Sequence, residues 1–374
     1  MDLIHPGSKP EVASALRAAS EGRRRILLVG GRTHMGRSSA FEADAELWTT
    51  QLDRVVAYDP AEMLVVAEAG LRVGALQRIL GEGGQEWPVD APPDATIGGV
   101  VAAGVSSPRR LRVGHVRDTV LELELVTGDG RPVRSGARTV KNVTGFDIHR
   151  LATGSFGSLG AIMQVALKVR PLPQARRTLV HTGGGGLELG RRLAEGVPAA
   201  AAVLAAPDRV ELRLEGWSGE VEELATAATA IAGDLTVLED AAPFPSRRTD
   251  DAPVVLEAAV PPSRIGRLVE GRTGWSALVG VGLVWFRLPS RDDDAIRTVA
   301  ERAVAAGGTA RMIRGTAPAA GIARAPLPAP DVQRRLKDAF DPAGILAAIP
   351  GSGGLAGAGG TDAGGVPDAG GSRP

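Results

Sequence analysis

The chain has 374 residues, 44% of them hydrophobic and 23% charged, an ordinary globular composition long enough for two domains. Lysine plus arginine equals aspartate plus glutamate at 43 each, so no overall field favours nucleic acid or an anionic membrane. Cysteine is absent, which excludes disulfides, cysteine-held zinc or iron–sulfur clusters on this chain, and thiol nucleophiles. It also fits a reducing cytosol, so the expected location is cytoplasmic.

The opening stretch MDLIHPGSKPEVASALRAAS carries no charged segment followed by an apolar run, so no secretory signal is expected. Residues 10–21 read as a short helix and residues 26–29 as a buried strand. RVVAYDP (54–60) and MLVVAEAG (63–70) read as strands parted by a turn at Asp59-Pro60. In RVGALQRILGEGG the apolar Val73, Leu76, Ile79 and Leu80 mark a helical stripe closed by glycines. Leu121, Leu123 and Leu125 alternate with Glu122 and Glu124 before a Gly-Asp-Gly turn, a hairpin pattern. GSLGAIMQVALKVRPLP is a further strand ended by prolines. After Pro173 the texture changes. Alanine-rich helical segments near 187–205, 219–233 and 292–306 mix with strands such as RVELRLEG and LVGVGLVWFRL, a pattern of α+β type. The apolar run AAAAVLAA (199–206) is far too short to span a bilayer. Ten of the last 24 residues are glycine, and this tail is expected to be disordered.

Three glycine-rich segments carry the chemistry. The first, GGRTHMG (30–36), follows the strand at 26–29. From Gly31 to Ser38 it nearly reproduces a nucleotide-triphosphatase P-loop, but Arg37 stands where that loop needs a lysine. A planar guanidinium has a different reach and donor geometry from an ammonium, and the residues that follow show only a weak helical stripe. Nor is the segment a Rossmann fingerprint, since its glycines fall at 30, 31 and 36. The second segment holds Gly98, Gly99, Ala102, Ala103 and Gly104, small residues that let backbone approach a ligand and offer N–H groups to phosphate oxygens. In the third, Gly154, Gly157 and Gly160 lie three apart, with hydroxyls at Ser155 and Ser158. Any one of these could be an ordinary turn. Three separated by strands would make one long cradle, suited to a pyrophosphate with a sugar and rings at either end.

The run GGRTHMG, DATIGGVVAAG, GHVRDTVLELELVTGDG and KNVTGFDIHRLATGSFGSLGAI resembles the flavin-binding domain of the vanillyl-alcohol-oxidase/PCMH superfamily. Within it, PRR (108–110) and KNVTGFD resemble the FAD-binding E-type subunits of glycolate oxidase. The resemblance covers residues 20–173, and LKDAFDPAGIL (336–346) resembles the segment by which such chains return to the flavin domain. It implies an α+β fold: a two-part FAD domain (1–173), a smaller cap (174–327), a return segment (328–350) and the tail (351–374).

The implied cofactor is FAD. Gly30, Gly31, Arg32, Thr33, His34, Met35 and Gly36 would hold the pyrophosphate from below. Thr96, Ile97, Gly98, Gly99, Ala102, Ala103 and Gly104 would line the opposite side, running towards the isoalloxazine. Gly154, Ser155, Gly157 and Ile162 would approach the adenosine half. Lys141, Arg109 and Arg110 are candidates for the positive group that a reduced flavin needs beside its N1–C2 edge. The plainer reading of the arginine pair is a solvated face or an interface. His34 could attach the flavin covalently, as in some relatives, against the plainer reading of a hydrogen-bonded or exposed loop histidine.

Departures from the pattern matter as much. Related hydroxyacid dehydrogenases carry paired metal-holding histidines in and after the cap, but no histidine follows His181 here, and Phe156 replaces the acidic residue of the D-type partner's GSEGTLG. No catalytic residue and no metal site are therefore assigned. The expected role is an FAD-binding subunit supporting oxidation of glycolate to glyoxylate, beside a catalytic FAD subunit of D type and an iron–sulfur subunit of F type. Peripheral membrane association could come through that complex. A stand-alone FAD oxidoreductase of another hydroxyacid or alcohol and a flavin-free scaffold are the alternatives.

Overall fold

The computed structural model describes residues 1–33, 41–105, 107–138, 145–238, 252–315 and 329–348. The chain enters through β1 (Asp2–Ile4), α1 (Lys9–Glu21), β2 (Ile26–Val29) and β3 (Ala45–Trp48). Ser8 caps α1 by accepting from the Glu11 amide, and the helix buries Val12, Leu16 and Ala19 on one stripe. That stripe covers a parallel sheet in the order β1-β3-β2, where Ile26 pairs with Ala45 and Leu28 with Leu47.

β4 (Val55–Asp59) and β5 (Leu64–Glu68) make the expected hairpin. They are followed by α2 (Val73–Glu82), the short β6 (Gln85–Glu86), α3 (Ile97–Ala103) and α4 (Arg110–Val113). Next come β7 (Val120–Val126), β8 (Pro132–Gly136), α5 (Ile148–Ala152) and β9 (Ala161–Lys168). The longer strands build an antiparallel sheet, β4-β5-β9-β7-β8. Leu76 and Leu80 of α2 and Ile97, Val100 and Val101 of α3 pack with Val65, Leu123, Val165 and Leu167 of this sheet. Val126, Ala161 and Met163 join the core under α1, so both faces of the sheet are covered. This is why Glu122, on the polar phase of the alternation, is buried rather than wet, with Arg134 (2.6 Å) and Arg138 (3.3 Å) on its carboxylate.

β10 (Arg170–Pro171) pairs with β6, and the chain then builds a second, larger sheet. Its elements are β11 (Ala175–Thr182), α6 (Gly186–Gly196), β12 (Ala202–Ala206), β13 (Arg209–Gly216), α7 (Ser218–Ala232) and β14 (Thr236–Leu238). They continue with β15 (Val254–Ala259), α8 (Ile265–Val269), β16 (Trp275–Leu278), β17 (Leu283–Leu288), α9 (Asp293–Ala305) and β18 (Thr309–Arg314). The order is β14-β11-β13-β12-β16-β17-β15-β18, every pair antiparallel, with α6, α7, α8 and α9 contributing to one core against it.

Two expectations change here. The alanine-rich segment near 187–205 is not one helix: residues 202–206 are a central strand, held between β13 and β16. Small side chains fit that crowded position, and tertiary pairing overrides alanine's helix preference. LVGVGLVWFRL is not one strand but the end of β16 and all of β17, joined by a turn with positive φ at Gly280 (83°) and Gly282 (85°). The chain finally returns to the first sheet. After α10 (Pro330–Phe340), the Gly128 amide donates to Phe340 O (2.8 Å) and the Ile26 amide to Ile345 O (2.8 Å). The tail after residue 348 lies outside the described residues.

A trench where three glycine bends meet

β2 runs out at Val29 directly into residues 30–33. A methyl group on Gly30 would collide with the Thr96 hydroxyl, and one on Gly31 would lie 2.6 Å from Asp94 O. The first bend thus rests on the start of α3. Thr96 caps that helix, its hydroxyl accepting from the Gly99 amide at 3.3 Å. α3 ends at Gly104 in a left-handed turn (φ 59°), where a side chain would stand 3.0 Å from the Gly154 Cα. The third bend is stitched on at that point: the Gly154 amide donates to Val101 O (3.0 Å) and the Phe156 amide to Ala102 O (2.8 Å). Gly157 then closes the ring against β2, since its Cβ would meet Leu28 Cδ1 at 3.3 Å.

The result is one continuous trench. Its walls are residues 28–33 and Thr49; Gly98, Gly99, Ala102 and Ala103; and Phe156, Gly157 and residues 160–162. Of the residues singled out in the sequence, Gly30, Gly31, Arg32, Thr33, Gly98, Gly99, Ala102, Ala103, Gly157 and Ile162 line it. Thr96, Ile97, Gly104, Gly154 and Ser155 stand behind it as cap, core and junction. His34, Met35, Gly36 and Lys141 lie outside the described residues.

Accounting for the amides divides the labour between the bends. The second bend is expected to offer N–H groups, yet those of Ile97 and Gly98 go to Leu71 O (2.9 Å) and Ala69 O (2.7 Å), and that of Gly99 to the Thr96 cap. Gly98 is small because Ala69 Cβ would be 2.6 Å from any side chain there. This bend supplies room. In the first bend the amides of Gly30 and Gly31 have no hydrogen-bond partner among the described residues. Main-chain donors left open over a small-residue floor fit an extended diphosphate, which needs close approach and dispersed N–H groups rather than a lysine cluster.

Arg32 does not reach across the trench as a free cation. Its backbone is left-handed (φ 57°), and its guanidinium pairs with buried Glu46 and lies 4.9 Å above the Trp48 ring. Trp48 Nε1 donates to the same carboxylate (2.9 Å), and His5 stacks on the indole at 5.8 Å. The sequence shows no pattern that pairs Arg32 with a carboxylate fourteen positions later.

The arginine pair resolves into different environments. Arg109 is buried at the joint between the two sheets. It reaches Glu86 (3.0 Å) and Asp90 (2.9 Å) on its own side and Glu215 of β13 (3.0 Å) on the other. Arg170, Arg176 and Arg213 complete the cluster around Glu86 and Glu215, beside a cavity of about 460 Å³. Burial opposes the Arg109 charge, but the three carboxylates outweigh it and raise its pKa. Of the two roles considered for Arg109, the structure shows the interface. Arg110 is half-buried, and its pKa is lowered by burial and by Arg117.

One residue passed over in the sequence stands near the trench's second and third bends. The His115 Cε1 lies 3.9 Å from where a Gly104 Cβ would sit. Its Nδ1 accepts from the Arg117 amide (3.1 Å), while Asp118 accepts from its own amide (3.1 Å). Burial, helped by Arg110 and Arg117, pushes its pKa down to about 4, so the ring is neutral at pH 7. The reciprocal cap in GHVRD was the available signal. Among the described residues no group of three His, Asp or Glu is placed to hold a metal, and no helix is long and apolar enough to cross a membrane.

Comparison with known proteins bears on the cofactor. Residues 3–136 match a family described as FAD binding domain, so this part of the chain is an FAD-binding domain and its cofactor is FAD. The chain is 40% identical over 128 residues to glycolate oxidase subunit GlcE of Escherichia coli (strain K12), covering 33% of this chain and 37% of that protein. It is 32% identical over 173 residues to the mitochondrial D-lactate dehydrogenase [cytochrome] of Arabidopsis thaliana, covering 46% and 30%. To glycolate oxidase subunit GlcD of Bacillus subtilis (strain 168) it is 28% identical over 181 residues, covering 48% and 38%. The matches therefore span under two fifths of these relatives' lengths. A solved alkyldihydroxyacetonephosphate synthase shares the fold with a TM-score of 0.71 over 92% of this chain and 75% of that one, at 16% identity.

Proposed function

We propose that the chain is the FAD-bearing E-type subunit of a glycolate oxidase, an oxidoreductase complex converting glycolate to glyoxylate. The observation that carries this reading is the single trench, assembled from three bends that lie far apart in the chain and lined largely by small residues. Gly30 and Gly31 would face the diphosphate with open amides, Gly98 to Ala103 would give the rings room along α3, and Phe156 to Ile162 would form the third wall. FAD, when bound, supplies the two-electron acceptor. What this chain contributes is to hold the cofactor extended, keep its diphosphate neutralised by main-chain dipoles, and screen it from water along α3.

Phe156 lines the trench where the resemblance leads one to expect an acidic residue. The reading therefore leaves removal of the hydroxyl proton to a D-type partner subunit. With no cysteine here to hold a cluster, this reading needs an external electron acceptor, and an F-type iron–sulfur partner fills that role. The similarity to D-lactate dehydrogenase over a longer stretch supports a small 2-hydroxyacid as the substrate class, with glycolate the member favoured by the 40% match.

The test is the visible spectrum of the purified, flavin-loaded chain under anaerobic glycolate, with and without D- and F-type subunits. Bleaching that requires the partners supports the proposal. Rapid glycolate turnover by the isolated chain with an artificial acceptor overturns the subunit role.

A further inference from the structure

The third wall of the trench has an unusual tie. Lys337 of α10 has only 17% of its side chain exposed, and its ammonium gathers acceptors from three places. It donates to Asp341 (2.6 Å), to the carbonyls of Leu346 (3.2 Å) and Ala347 (2.9 Å), and to the carbonyl of Ser158 (2.8 Å), 179 positions away. Asp341 is buried in turn and accepts from the amides of Ile345 (3.0 Å) and Leu346 (2.9 Å). Phe340 O takes the Gly128 amide, so the whole assembly is pinned to the β7–β8 turn.

Ser158 sits between two residues that line the trench, Gly157 and Gly160. It is fully buried, and its own hydroxyl has no hydrogen-bond partner among the described residues. Glycine-flanked backbone of this kind has little intrinsic preference for one path and must be held from outside. Among the described residues, Lys337 is the one side chain that bonds to the Ser158 carbonyl.

We infer that Lys337 is a positioning residue for the cofactor: it latches the carboxy-terminal segment onto the Gly157–Gly160 wall and thereby sets how tightly the trench retains FAD. The inference rests on the reading that FAD occupies this trench. A cation is suited to the role because several carbonyls converge on one point; a neutral, apolar replacement leaves them buried and unpaired. Burial pulls the Lys337 pKa down, and the Asp341 carboxylate beside it pulls against that.

The experiment uses the full chain and the variants Lys337→Met, Lys337→Gln and Lys337→Arg. Flavin release is followed by fluorescence after dilution, and amide exchange at residues 157–160 is measured without FAD. The expected result for Lys337→Met is roughly tenfold faster release and faster exchange at 157–160, with Lys337→Arg recovering most of both. If Lys337→Met does not fold, Lys337→Gln, which keeps two donors, is read in the same way with a smaller change. Release and exchange unchanged to within about twofold, even with a lowered melting temperature, overturn the latch and leave Lys337 as a fastener of α10. If the wild-type chain takes up no FAD, the proposed function fails instead, while the exchange comparison still decides the latch.

Discussion

At Gly30 the difference between one hydrogen and one methyl group decides whether the first bend can lie on Thr96. Replacement by alanine forces the bend off the helix cap. Overpacking of this kind costs about 1–3 kcal/mol, and it should weaken FAD binding about tenfold or more while the chain still folds, as read by fluorescence titration. His115 gives a prediction in pH. Its folded pKa, about 4, lies below the ordinary value of 6.5, so the unfolded chain takes up the proton first as pH falls. Native stability should therefore decline from about pH 6.5 towards pH 4 for this group and be unaffected above that window. Melting curves of wild type and His115→Gln across the range should converge as pH falls, and parallel curves would count against it. The glycines were readable as residues because spacing survives translation into structure. The partners of their amides were not, since Ala69 and Leu71 reach Gly98 and Ile97 only after α2 and β5 have folded.

Elements show where local pattern suffices. α3 needs its Thr96 cap, so Thr96→Val, close in shape but without the acceptor, should cost about 1 kcal/mol, measured as a lower denaturant midpoint. The hairpins at 55–68 and 120–136 and helix α1 follow their sequence patterns, because each is closed by residues within a few positions of itself. β12 does not. Its alanines favour helix locally, and only β13 and β16, at its two edges, decide otherwise. The joined appearance of β16 and β17 has a similar cause, since valines and glycines alternate through the turn as they would through a strand. Glu122 shows the limit of alternation: the pattern gives the face, but α1, Arg134 and Arg138 determine that the face is covered.

The whole molecule is held at its joint by charge. Arg109 links Glu86 and Asp90 to Glu215, so Arg109→Met leaves buried carboxylates short of a partner and should destabilise the chain by about 3–5 kcal/mol. Calorimetry should also show the second sheet losing its coupling to the first, as a broadened or split transition; an unchanged single transition would contradict this. No spacing in the sequence announces a cluster built from positions 86, 90, 109 and 215, because such ion pairs depend on how the two sheets dock. The trench was more legible than the joint, since glycine is demanded locally wherever backbone must approach backbone. The most direct measurement is amide hydrogen exchange of the purified chain with and without one equivalent of FAD. Concerted protection of residues 30–33, 98–104 and 154–162 is expected when FAD is added. Protection confined to one of these stretches, or none at all, would contradict a single cofactor trench formed by all three.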